Sequence, residues 1–190
     1  MDEILRVKIV HAVQEHWNAG RLLQAGMILY ERIPRWDRPA WGADVLSLAQ
    51  SRVFLLPEVE TVIAFARNPA YWGEGLGEKQ EEAHRVFDTV REHRLQQENA
   101  GRLQEALLSL AENVAKVTYN VYGYAAPFDH DAGWHIAGNA KVIAEEVGDP
   151  GFASEVWVSL CREQYINLDQ PVRCNPFCAG CGLLFAFEIS

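Results

Sequence analysis

Apolar side chains recur at helical spacing along most of this chain. Ile4, Val7, Ile9, Val10, Val13 and Trp17 predict a helix over residues 3–17, closed by the stop signal Asn18-Ala19-Gly20. Leu22, Leu23, Met27, Ile28 and Tyr30 predict a second over 21–33, ended by Pro34. The stretch PRWDRPAWG (34–42) reads as a loop, because two prolines and a glycine interrupt it. Val45, Leu46, Leu48 and Val53 then predict a helix over 43–55. Pro57 opens another over 57–67, at a position where its missing N–H costs little, and Asn68-Pro69 stops it.

Residues 68–78 form a glycine-rich loop in this reading. From 78 to 99 the chain is heavily charged, and Ala83, Val86, Phe87, Val90 and Leu95 leave one narrow apolar stripe on a solvated helix. Leu103, Leu107, Leu110, Val114 and Val117 give the next helix, 101–121, a richer stripe suited to the centre of the core. A loop over 123–133, a helix over 134–147, the turn Gly148-Asp149-Pro150-Gly151 and a helix over 152–165 follow. GLLFAFEIS at the end reads as a short strand or an extended segment. The expected fold is all-α: an antiparallel bundle of seven to nine helices over 1–168. A cysteine-rich segment, 169–190, packs on the bundle or extends from it.

Composition narrows the partners. At 190 residues and 49% hydrophobic the chain suits one domain with a real core. A formal charge of −9 without a basic run disfavours nucleic acid and anionic membrane as partners. Asp2 and Glu3 stand where a signal peptide carries positive charge, so the expected location is the cytoplasm. There, clustered cysteines read as thiols or metal ligands before disulfides.

Cys174, Cys178 and Cys181 stand at C-x3-C-x2-C, and Cys161 supplies a fourth thiolate. Four thiolates suit zinc or an iron–sulfur cluster. The spacing resembles that of radical-SAM enzymes. It departs from them because nine residues follow Cys181, Gly180 replaces the usual aromatic residue, and the preceding chain is helical. A thiol-redox pair and simple burial are the alternatives for the same cysteines.

FDHDAGWH (128–135) offers Asp129, His130 and Asp131 to a divalent ion. The His130-Asp131 doublet resembles the HD-domain phosphohydrolases, which are all-helical. That resemblance implies His84 or His93 as an upstream ligand, Asp149 or Asp169 as a downstream one, and metal-dependent hydrolysis. The competing reading is that Asp129 or Asp131 caps the following helix. Glu81-x-x-His84 resembles half of a di-iron carboxylate motif, but no second E-x-x-H exists to complete it. No nucleophile elbow and no phosphate-binding loop is present, so no catalytic residue is assigned.

Trp36, Trp41, Tyr71 and Trp72 fall in predicted loops, with Arg35 and Arg38 among them. Such residues dominate protein–protein contacts when exposed, and plug gaps between helices when buried. Together these features favour a non-enzymatic helical module that binds another protein or itself. Its contact face would be the aromatic loops or the charged 78–99 helix.

Overall fold

The computed structural model describes residues 3–21, 24–25, 28, 30, 33–34, 37–54, 56–68, 76–97, 100–122, 130–149, 151–152 and 155. These carry six helices and no strand: α1 (Glu3–Asn18), α2 (Arg38–Gln50), α3 (Pro57–Ala66), α4 (Leu76–Gln96), α5 (Arg102–Tyr122) and α6 (His130–Val147). The count is six rather than the seven to nine expected, and the predicted helices over 21–33 and 152–165 lie mostly outside the described residues. No described helix is long and apolar enough to cross a membrane.

The central place of α5 follows from its apolar stripe. Leu107, Leu110, Val114 and Val117 are fully buried, and the helix packs against α2, α3, α4 and α6. The five-residue connection after α4 leaves α5 only an antiparallel course against it. On the opposite side, α6 buries Ala132, Ile136, Ala140 and Ile143. Alanines alternating with isoleucines at that spacing form one apolar stripe along the helix. The link is completed by Asn139 Nδ2 donating to Ser109 Oγ at 3.0 Å.

Two helix ends were legible from their glycines. Gly20 and Gly148 adopt φ +73° and +66°, and each is followed by an amide that reaches back five residues, Arg21 N–H to His16 O and Asp149 N–H to Ala144 O. A glycine at that position accepts the left-handed turn without a Cβ clash.

Two starts differ from expectation. Helix α2 begins at Arg38, not at 43, so Arg38 to Gly42 are its first turn rather than a loop. Pro39 sits where a helix needs no N–H partner. Gly42 is kept for proximity: a Cβ there would stand 3.1 Å from Val114 Cγ2 on α5. Helix α6 likewise begins at His130 rather than at 134.

Candidate functional site

The four cysteines, Cys161, Cys174, Cys178 and Cys181, lie outside the described residues, as do Asp129, Trp36, Tyr71 and Trp72. Of the DHD stretch, the described backbone includes His130 and Asp131, in the first turn of α6. Of the other residues implied for a phosphohydrolase centre, Asp169 lies outside the described residues and the remaining three have local partners. His84 Nδ1 lies 3.0 Å from Asp88 Oδ2, and His93 Nδ1 lies 3.1 Å from Glu58 Oε1. Asp149 receives Arg52 at 3.3 Å and accepts the Gly151 amide at 2.9 Å. Among the described residues, no three His, Cys, Asp or Glu side chains are grouped to hold a metal.

Trp41 belongs to the core. It lies in α2, not in a loop, and is 1% exposed. Its ring centroid stands 5.8 Å from that of the equally buried Tyr30, and the Arg38 guanidinium covers Tyr30 at 4.3 Å. Arg38 Nε also donates to Ile33 O at 3.1 Å. This stack closes the junction in front of α2, so the Trp41 indole offers no area to a partner.

The charged helix α4 has two sides that differ. Toward the core, Ala83 and Val90 are buried, with Val86 and Phe87 half-buried beside them. The charges on that side find partners. Arg94 Nη1 donates to Glu105 Oε1 at 2.8 Å and Arg94 Nε donates to Glu112 Oε2, which ties α4 to α5. His93 faces Glu58 on α3. Burial alone would lower the Arg94 pKa, but the bonds and charges of Glu105 and Glu112 outweigh it and hold the pKa above its ordinary value.

Toward solvent the pattern reverses. Glu78, Glu81, Arg85, Arg91 and Glu92 are all exposed, and none forms an ion pair among the described residues. Leu95 is 60% exposed on the same side. A shallow hollow of about 500 Å³ opens there between α4 and α5, lined by Gln80, Glu81, His84, Arg85 and Tyr119. Tyr119 forms its wall: His84 meets its ring edge-on at 5.2 Å, and Phe87 stacks on it at 6.4 Å. A second hollow of about 390 Å³ lies between α3 and α4, where Thr61 and Arg85 flank Val86 and Val90.

The His84–Asp88 pair has the geometry of a base and its orienting carboxylate, and the described residues that line the hollow include no serine or cysteine. Other displaced pKa values have local structural causes. Burial raises that of Asp37, whose side chain makes no capping bond at the start of α2. Burial, then the Arg21 charge, lowers that of His16 against the opposing pull of Glu15.

The sequence identifies α4 as a solvated helix and leaves the pairs between elements unseen. Arg94 and Glu112 are 18 positions apart, and Arg52 and Asp149 are 97 apart, so only the fold joins them. Comparison with protein-family models, with curated proteins and with solved structures finds no match to this chain.

Proposed function

We propose that this protein is a non-enzymatic, cytoplasmic helical module that binds another protein chain through the outward side of α4. One observation carries the reading: the α4 charges that face α3 and α5 are paired, while the five that face outward are not. Ion pairs between solvated side chains add little to a fold, so these outward charges contribute little to holding the bundle. Arranged on one face beside an exposed leucine and an aromatic-walled hollow, they offer a partner both charge pattern and apolar area.

The reading is tested with a bait carrying Glu81→Ser, Arg85→Ser and Glu92→Ser together. Exposed substitutions of this kind each move stability by less than about 0.5 kcal/mol, so the urea midpoint should stay near that of the unchanged protein. Proteins that co-purify with the unchanged chain should be lost from the substituted one. If the same proteins are retained at the same yield, α4 is not the contact face.

A further inference from the structure

A regular seam runs along the exposed edge of α4 beside the hollow it shares with α5. Gly77, Glu81, His84, Asp88, Arg91 and Leu95 follow one another at steps of four, three, four, three and four, which is the spacing that keeps one edge of a helix against a second helix. Each of these residues is exposed or half-exposed, and the core-facing Ala83, Val86, Phe87 and Val90 lie off the seam.

The order of charges along it is self-complementary. Turned end to end about residue 86, the seam sets Glu81 opposite Arg91 and Leu95 opposite Gly77, and brings the His84–Asp88 pair of one helix against the same pair of the other. Laid parallel and in register, it would set Glu81, Asp88 and Arg91 each against its own copy, which is repulsive in every charged layer. Antiparallel pairing satisfies the same layers twice over, because a two-fold axis repeats each contact. Gly77 has nothing within 4 Å of the place a Cβ would occupy, so the facing Leu95 meets open space rather than a side chain.

We propose that α4 pairs antiparallel with α4 of a second copy of this chain, in the register that places Glu81 against Arg91. The proposal rests on the reading of α4 as the contact face and names its occupant. The seam covers about 27 Å, from eighteen steps of about 1.5 Å each, so the interface falls in the small class typical of transient association. Its polar layers remain close to solvent, and added salt weakens them. Arg85 approaches its own symmetry mate near the axis, where the Asp88 carboxylates of both copies offset the repulsion.

Sedimentation equilibrium on the full chain tests the pairing, at concentrations up to about 1 mM, the weak end of measurable affinity. In low salt the mass should rise with concentration from 21.4 kDa toward twice that value. Glu81→Arg alone, or Arg91→Glu alone, creates two like-charge layers in the dimer and should weaken association by about tenfold or more. The two substitutions together restore opposite charges in both layers and should return association to near that of the unchanged protein. The proposal is overturned by a mass fixed at 21.4 kDa, by a dimer indifferent to either single reversal, or by a double variant no better than the singles. A chain that stays monomeric yet still captures a different protein through α4 overturns the pairing alone. A chain that does neither overturns the contact face as well.

Discussion

Asp37 and Gly42 sit five residues apart at the start of α2 and are constrained in opposite ways. Burial without a capping bond raises the Asp37 carboxyl pKa, so the folded chain holds that proton more tightly than the unfolded chain does. Its contribution to stability is therefore complete below the ordinary carboxylate pKa of 3.8 and is lost as pH rises through the raised value. Asp37→Asn should consequently melt higher than the unchanged protein at pH 7, and the gap should close as pH falls below that range. A gap that persists or widens in acid would show that the carboxylate is not penalised by burial. At Gly42 the constraint is steric. Alanine gains about 1 kcal/mol of helix propensity over glycine. Its Cβ would press on Val114, a fully buried β-branched residue with little rotameric freedom in a helix, and overpacking of that kind costs about 1–3 kcal/mol. Gly42→Ala should therefore lower the urea midpoint, and a raised midpoint would mean that α2 and α5 can separate without cost.

At the scale of the elements, the apolar stripe of α5 forecast its position correctly because a run of inward leucines and valines has only the core to occupy. Leu110→Ala should cost about 2–5 kcal/mol, as for other fully buried leucines. Leu95→Ala, on the outward side of α4, should cost less than about 0.5 kcal/mol. Denaturant titrations of the two variants check both values. The starts of α2 and α6 were harder to read. Pro39 and Gly42 are helix breakers by composition, and only the proximity of Val114 explains why glycine suits a helical position here. The same limit hid the latch formed by Arg52. Its Nη2 lies 2.6 Å from Glu155 and its Nε 3.3 Å from Asp149, and the guanidinium covers Phe152 at 5.2 Å. Because the acidic partners are about half exposed, the latch contributes on the order of 1 kcal/mol. Arg52→Ala and Asp149→Ala should show non-additive losses in a double-mutant cycle, whereas additive losses would mean that the pair does not act as a unit.

At the scale of the whole molecule, ion pairs among the described residues either bridge elements or lie within one helix, as His84–Asp88 and Lys141–Glu145 do. Pairs that join helices, such as Arg94 with Glu105 and Glu112, Arg102 with Glu146, and Arg67 with Asp44, lie along the lines where elements meet. Glu78, Glu81, Arg85, Arg91 and Glu92 on α4 form no ion pair among the described residues, and Arg91 lies 6.0 Å over the Phe87 ring. Sequence composition indicated a charged, solvated helix over 78–99 but did not distinguish its paired charges from its open ones, because the pairing depends on α3 and α5. The candidate site was therefore legible as an element and not as a face. Trp41 shows the opposite case: a residue type typical of interfaces that burial in α2 assigns to the core. The decisive measurement is photo-crosslinking in cells from a probe placed at Glu92 on α4, compared with one at Glu145 on α6. Protein adducts should form from position 92 and not from position 145, with an adduct of twice the chain mass marking self-pairing and any other mass a different partner. Adducts from 145 but none from 92 would contradict the account.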